Sequence, residues 1–120
     1  MPKILIVDDD VMITTLLKTL VTIEGHQPTT VNDSAEAMEV AKSINPDLIT
    51  LDLMMPHLTG YELCALLRAD PKFANIPIII ISALEDAESR EKAYNAGAKE
   101  YITKPFRTDD LMQKIKDLTS

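Results

Sequence analysis

Three aspartates follow apolar segments at two separate places in the chain. Asp8 and Asp9 come directly after KILIV at residues 3–7, and Asp52 comes directly after DLITL at residues 47–51. Burying a carboxylate at the end of a strand costs free energy unless a cation pairs with it. Carboxylates brought together repel one another, and Mg²⁺, a hard cation that prefers oxygen ligands, removes that repulsion. The pattern predicts a Mg²⁺ site at these aspartates if the two segments are neighbours.

Two further polar residues follow later apolar segments. Ser82 comes after IPIIII at residues 76–81, and Lys104 comes soon after EYI at residues 100–102. A carboxylate can attack phosphorus as a nucleophile. Phosphoryl transfer then needs positive charge and hydrogen-bond donors around the equatorial oxygens. Mg²⁺, the Lys104 ammonium and the Ser82 hydroxyl together meet that need, so the residue types favour phosphoryl transfer to a carboxylate.

The elements that must position these residues alternate along the chain. Strands are predicted at residues 3–7, 27–31, 47–51, 76–81 and 100–102. Helices are predicted at residues 11–24, from Leu58 or Thr59 to Ala69, at residues 86–96, and from Thr108 onward. A further helix is predicted to begin with a capping box formed by Asp33 and Glu36 and to end at about Ile44. Apolar strands that alternate with amphipathic helices indicate a parallel sheet covered on both faces. We therefore expect an α/β, doubly wound, flavodoxin-like (βα)5 fold with five parallel strands in the order 2-1-3-4-5, whose ligands bind between strands one and three.

Composition limits the classes of protein to which the chain can belong. Its 120 residues suit one domain spanning 1–120, and 46% of them are apolar. The formal net charge of −7 disfavours direct binding of this chain to nucleic acid. A single cysteine, Cys64, excludes an internal disulfide, and no apolar run is long enough for a membrane span. A cytoplasmic protein is the expectation.

Four motifs in this order resemble the bacterial response regulator receiver domain of two-component systems, as in chemotaxis regulators. They are VDD at 7–9, DLMMPHLTG at 52–60, IIIISA at 78–83 and YITKPF at 101–106. The resemblance covers essentially the whole chain. It implies a phosphoacceptor domain that takes its phosphoryl group from a sensor histidine kinase or a phosphotransfer protein.

The resemblance implies a role for each residue of the acidic group. Asp52 is similar to the phosphoacceptor and also to a metal ligand. Asp8 and Asp9 are similar to the acidic pair that holds Mg²⁺, and the backbone carbonyl of Met54 would be a further ligand. Such a domain assists its own phosphorylation and dephosphorylation, which leaves open whether it should be called an enzyme.

The resemblance also implies how the signal leaves the site. Ser82 and Lys104 would contact the phosphoryl group, and Tyr101 is similar to the switch aromatic that turns inward when Ser82 moves. The peptide bond between Lys104 and Pro105 is similar to one that the family holds in cis.

A changed surface on the fourth helix, fifth strand and fifth helix would then be recognised by a downstream protein or a covalently linked output domain. Its mixed charges also permit a homodimer. The residues expected on this surface are Glu91, Lys92, Asn95, Lys99, Asp110 and Lys114. The resemblance also implies that the residues two positions beyond the acceptor and the hydroxyl control the lifetime of the phosphoryl group. Here they are Met54 and Leu84, both apolar, so slow self-hydrolysis is expected.

Two alternatives remain open. ILIVDDD also resembles the first motif of haloacid-dehalogenase-type phosphohydrolases, with Asp8 as nucleophile and Asp10 as acid/base. That alternative has Met12 where a Thr or Val is usual, and it leaves Asp52 unexplained. The second alternative is a receiver that binds partners without being phosphorylated.

Overall fold

A five-stranded parallel sheet forms the centre of the structure, a computed structural model that describes residues 1–120. The strands are β1 (Lys3–Val7), β2 (Gln27–Val31), β3 (Leu48–Leu51), β4 (Ile78–Ser82) and β5 (Glu100–Thr103). They lie in the order β2-β1-β3-β4-β5, and every neighbouring pair is parallel. The predicted fold class and strand order are confirmed.

Five α-helices connect and cover the strands. They are α1 (Val11–Ile23), α2 (Ala37–Ile44), α3 (Gly60–Ala69), α4 (Ala87–Ala96) and α5 (Thr108–Thr119). Asp10 and Asp86 cap α1 and α4 with their carboxylates, and Thr59 caps α3 with its hydroxyl. None of these helices is both long enough and apolar enough to span a membrane.

The start of the second helix differs from the prediction. Asp33 accepts from the N–H of Ala35 and opens a short 3₁₀ turn at Ser34–Glu36, and α2 begins after it without a side-chain cap. The predicted capping box of Asp33 and Glu36 is therefore wrong. The physical reason is that the buried Ser34 hydroxyl bonds to a distant loop and holds this segment as a tight turn. A capping box does occur at α3, between Thr59 and Glu62.

Strand bounds also shift slightly. The strand predicted at 76–81 begins two residues later at Ile78 and includes Ser82, and β3 begins at Leu48, one residue after Asp47. The N–H of Asp47 still donates to the Lys3 carbonyl at 2.7 Å, so the chain is held beside β1 before the regular ladder starts. These shifts leave the carboxyl ends of the strands, where the candidate site lies, close to their predicted places.

Successive residues of β1 point to opposite faces of the sheet, as the two-residue period of a strand requires. Leu5 and Val7 pack with α2, α3 and α4, whereas Ile4 and Ile6 pack with α1 and α5. Because both faces are covered, the central strands are apolar nearly throughout. Cys64 is buried in the larger of the two cores.

Arg68 joins two connections at the end of the sheet opposite the strands' carboxyl ends. Its Nε donates to the Gly97 carbonyl at 2.9 Å, and its Nη1 donates to the carbonyls of Phe73 and Ile76 at 2.8 and 2.7 Å. Gly97 ends α4 with φ 114°, and a Cβ there would overlap the Arg68 side chain. The guanidinium thus fastens the C-terminal end of α4 to the α3–β4 connection.

Candidate functional site

Three carboxylates meet at the carboxyl ends of the two central strands. The register pairs Val7 with Leu51, so the residues that follow β1 and β3 emerge side by side. Carboxylate oxygens of Asp8, Asp9 and Asp52 all lie within 4.8 Å of one another. Asp8 and Asp52 are only 3% and 7% exposed, whereas Asp9 faces solvent. The fold therefore brings together the three aspartates that the sequence analysis singled out.

Asp8 is held from two sides. Its Oδ1 accepts the N–H of Asp10 at 2.9 Å, and its Oδ2 accepts from Lys104 Nζ at 2.8 Å. The same ammonium lies 3.6 Å from Oδ2 of Asp52. Lys104 is thus a single cation shared by two buried carboxylates, which is the pairing that burial of their charge requires.

The electrostatics of the group shift two pKa values. Burial and the nearby Asp8 charge raise the pKa of Asp52 above its ordinary value, and Lys104 opposes that rise. Burial alone lowers the pKa of Lys104, but the adjoining Asp8 and Asp52 carboxylates outweigh it and leave the pKa above the usual lysine value. Lys104 therefore remains an ammonium at neutral pH.

The donor set fits a magnesium ion. Ligands in an octahedron of about 2.1 Å radius lie roughly 3–4 Å apart, so the three aspartates need only small movements to bind one. Asp9 lies on the exposed side, which leaves room for the waters that Mg²⁺ keeps. Met54 lies beside the group, with its N–H 3.5 Å from Oδ1 of Asp52.

Leu84 connects Ser82 to Tyr101 through its backbone. The Leu84 N–H donates to Ser82 Oγ at 3.2 Å, and the Leu84 carbonyl accepts from the Tyr101 hydroxyl at 2.7 Å. Ser82 is fully buried and Tyr101 is 7% exposed, so the aromatic ring already lies inward. Burial raises the pKa of Tyr101, which keeps its hydroxyl protonated as a donor.

Arg90 was not found from the sequence, yet it contacts the predicted switch. Its guanidinium lies over the Tyr101 ring, 4.7 Å from the centroid, and donates to Thr103 Oγ1 at 2.7 Å. The residue pair is thirteen positions apart and joins a helix to a strand, so no local pattern indicates it. The peptide bond between Lys104 and Pro105, just beyond Thr103, is cis.

Gly60 allows the loop that follows β3 to pass close to the start of α3. Its N–H donates to the Leu53 carbonyl at 3.0 Å, and a Cβ at this position would overlap the Asp52 carbonyl oxygen. Any larger residue would displace the backbone that carries Asp52. The glycine of the motif therefore serves the geometry of the site.

All six residues predicted for the output surface are exposed: Glu91, Lys92, Asn95, Lys99, Asp110 and Lys114. Three of them also interact within the chain, and Asp110 lies 3.8 Å from the Arg107 guanidinium. Lys92 Nζ lies 4.4 Å from the centroid of the Tyr61 ring, and Lys114 pairs with Glu100 at 3.2 Å. The surface is a mixture of charges rather than a patch of one sign.

Comparison with solved structures gives close matches over nearly the whole chain. The Francisella response regulator 1452 receiver domain is 36% identical, with a TM-score of 0.92 and coverage of 99% of this chain and 97% of that one. The receiver domain of sensor histidine kinase PA1611 from Pseudomonas aeruginosa PAO1 is 28% identical, with a TM-score of 0.90 and coverage of 98% and 97%. That structure has a magnesium ion coordinated in its active site cleft.

Comparison with curated proteins and with protein families gives response regulators and their receiver domain, as the solved structures do. The DNA-binding dual master transcriptional regulator RpaA of Synechocystis is 34% identical over 118 residues, which are 98% of this chain and 49% of RpaA. The chain spans about half the length of the curated relatives that it matches. The model of the response regulator receiver domain family matches residues 4–116. With the five-stranded sheet and the acidic cluster at the carboxyl ends of β1 and β3, this match shows that the chain belongs to the receiver domain family of two-component response regulators.

Proposed function

We propose that this receiver domain accepts a phosphoryl group on Asp52 in the presence of Mg²⁺. The observation that carries the proposal is the arrangement of the Lys104 ammonium, which reaches both Asp8 and Asp52 within one cluster of three carboxylates. An acidic cluster alone suits a cation. The added lysine supplies the second positive charge that a transferring phosphoryl group needs.

In the proposed reaction an Asp52 carboxylate oxygen bonds to phosphorus as the bond from phosphorus to a donor histidine nitrogen breaks. The electron pair of the broken bond stays on that nitrogen. Asp8 and Asp9 would hold Mg²⁺ together with Asp52 and the Met54 carbonyl. When bound, Mg²⁺ neutralises charge on the phosphoryl oxygens. Lys104, protonated at neutral pH, would bind one of those oxygens as a point charge.

The same residues offer a route from the site to the α4–β5–α5 surface. A phosphoryl oxygen that attracts the Ser82 hydroxyl would change the hydrogen bond from the Leu84 N–H to Ser82 Oγ. Leu84 also accepts from Tyr101, and Arg90 of α4 packs on the Tyr101 ring. Because Tyr101 already lies inward, phosphorylation would act by fixing this arrangement.

The donor is proposed to be a sensor histidine kinase or a phosphotransfer protein. Val11 and Met12, at the start of α1 beside the acidic loop, expose 62% and 82% of their surface, which suits contact with a protein donor. The DNA-binding relatives are about twice as long as this chain, which supports an output domain or partner downstream of the receiver. A homodimer through α4, β5 and α5 remains part of the proposal.

The geometry gives less support to the phosphohydrolase alternative. That alternative requires Asp10 as a free acid/base, but the Asp10 carboxylate accepts the Met12 N–H at 2.9 Å and caps α1. It also requires Asp8 as nucleophile, and Asp8 is the closest partner of Lys104. Asp52 has the more exposed side chain, 10% against 4% for Asp8, and lies farther from the same lysine, so it is the better nucleophile.

The test is the intact mass of the protein after incubation with acetyl phosphate, with and without Mg²⁺. We expect one phosphoryl adduct that requires Mg²⁺, is lost in Asp52→Asn, and is retained in the control Asp47→Asn, whose carboxylate lies at the opposite end of β3. An adduct that survives Asp52→Asn but not Asp8→Asn would favour the hydrolase mechanism. No adduct from acetyl phosphate or from any phosphorylated histidine donor would mean a receiver that only binds partners.

A further inference from the structure

We propose that the β2–α2 connection, residues 32–36, positions both loops that carry the candidate Mg²⁺ ligands, although it supplies no ligand itself. The two positioning residues are Asn32 and Ser34. This inference rests on the proposed function, since it concerns the same metal site. It gives a role to residues 32–36, which lie beyond β2, on the side of β1 away from β3. None of the four sequence motifs includes this segment.

Asn32 holds the loop that carries the acidic pair. Its side-chain amide donates to the Asp8 carbonyl at 2.9 Å and to Thr14 Oγ1 at 3.0 Å. The Asp8 N–H donates to the Val31 carbonyl at 3.1 Å, so two consecutive residues at the end of β2 hold both peptide groups of Asp8. Thr14 is buried in α1. One amide therefore fixes the backbone of a metal ligand against the helix that follows it.

Ser34 holds the loop that carries the acceptor. Its hydroxyl donates to the Pro56 carbonyl at 2.7 Å and accepts from the Leu58 N–H at 3.0 Å. Between these two residues lies His57, whose φ of 72° is in the left-handed region. Ser34 is 1% exposed, so no water can readily replace its hydroxyl. A single buried side chain thus satisfies both peptide groups that flank the turn after Asp52.

Asn32 and Ser34 both control the distance between the loop after β1 and the loop after β3. Asn32 fixes the loop after β1 and Ser34 fixes the loop after β3, and only one residue separates them in the chain. The loops bear carboxylates that repel each other and that must stay close for Mg²⁺ to bind. Preorganisation by this connection keeps the ligands together before the ion arrives, as outer contacts of metal ligands do elsewhere.

The experiment measures Mg²⁺ affinity by calorimetry, beside unfolding in urea with EDTA, for Asn32→Ala and Ser34→Ala. The matched controls are Asn75→Ala and Ser43→Ala, because both side chains are exposed and make no hydrogen bond. We expect the dissociation constant to rise about 3- to 10-fold in each test variant and to stay within about twofold in the controls. Ser34→Thr, which keeps the hydroxyl, should recover most of the affinity.

If Asn32 and Ser34 only stabilised the fold, their removal would lower the free energy of unfolding without changing the Mg²⁺ affinity of the folded protein. Affinities are therefore measured at a temperature where circular dichroism shows each variant to be folded. If the parent binds Mg²⁺ and Asn32→Ala binds it equally well, the inference is overturned while the proposed function stands. If the parent binds no Mg²⁺, both are overturned. Should Ser34→Ala not fold, Asn32→Ala decides, because that side chain lies near the surface.

Discussion

Lys104 Nζ lies 2.8 Å from Asp8 Oδ2, closer than its 3.6 Å distance from Asp52. The lysine that would contact the phosphoryl group is thus paired most tightly with a candidate metal ligand. The ammonium and a bound Mg²⁺ would compete for one carboxylate and repel each other. Binding of Mg²⁺ would therefore have to overcome an existing ion pair.

Removal of that ion pair should strengthen metal binding. We expect Lys104→Ala to lower the Mg²⁺ dissociation constant by about 3- to 10-fold, because at a separation of a few ångströms the lost repulsion is worth on the order of 1 kcal/mol. The same variant should lose phosphorylation by acetyl phosphate. Calorimetric titration checks the first effect, with Lys116→Ala, an exposed lysine without an ion pair, as control. Weaker Mg²⁺ binding in Lys104→Ala would contradict the competition.

Neutralising Asp52 should stabilise the protein at neutral pH. Its pKa is raised above the ordinary value of 3.8, first by burial and then by Asp8, so the folded protein binds this proton more tightly than the unfolded chain. The stabilisation that the proton gives is complete below about pH 3.8 and is lost as the pH rises through the raised pKa. At pH 7 the ionised carboxylate therefore destabilises the fold.

Asp52→Asn should accordingly have a higher free energy of unfolding than the parent in urea at pH 7 with EDTA. The difference should shrink as the pH is lowered. Glu85→Gln removes one exposed carboxylate that makes no hydrogen bond and serves as the control. A stability loss in Asp52→Asn at pH 7 would show that the Lys104 ion pair outweighs burial.

The left-handed backbone of His57 offers a stability test that does not involve the charges. A non-glycine residue at φ 72° costs about 1–2 kcal/mol of stability. Glycine avoids this strain but loses more conformational entropy on folding, so only part of the cost is recovered. We expect His57→Gly to raise the free energy of unfolding by up to about 1 kcal/mol in urea. Gly25→Ala should do the reverse, since Gly25 has φ 87° and open space around its Cα. Equal stability of all three proteins would mean that neither turn is strained.

The Tyr101 hydroxyl should contribute to stability through its bond to the Leu84 carbonyl. Tyr101→Phe removes a 2.7 Å hydrogen bond at a buried site and should cost about 1 kcal/mol of unfolding free energy. Tyr94→Phe is the matched control, because Tyr94 is exposed and its hydroxyl makes no hydrogen bond. If Tyr94→Phe lowered the free energy of unfolding as much as Tyr101→Phe, the hydrogen bond to Leu84 would not account for the loss.

Met54 should slow the loss of the phosphoryl group. Its side chain is 64% exposed beside Asp52 and offers no hydrogen bond to an attacking water. Met54→Asn should hydrolyse its phosphoryl group about fivefold faster, the factor that one hydrogen bond of ~1 kcal/mol gives. Decay is followed by intact mass, with Met12→Asn, another exposed methionine, as control. A decay rate unchanged in Met54→Asn would show that the apolar side chain has no such effect.

Periodicity was sufficient to predict the strand order and the convergence of Asp8 with Asp52. Both follow from a rule that acts along the chain: an apolar strand, then a helix, with polar residues at the strand's carboxyl end. The capping box at Asp33 failed because Ser34 bonds to residues more than twenty positions away. The contacts of Asn32 and Arg90 could not be predicted for the same reason, because their partners belong to other elements.

The bond from Arg68 to Gly97 determines how α4 can move. It fixes the C-terminal end of a ten-residue helix, whereas the other end lies near Leu84 and the site. At that end Tyr61 donates a 3.4 Å hydrogen bond to the Ser89 carbonyl, and Arg90 bonds Thr103 and packs on the Tyr101 ring, so the first turn of α4 is held by the predicted switch residue. A helix of this length is about 15 Å long, so a tilt of about 10° carries its first turn roughly 2–3 Å. If the contact with Tyr101 changed, α4 would pivot about Gly97, and a partner that distinguishes the two states would have to contact its first turn, where the displacement is largest.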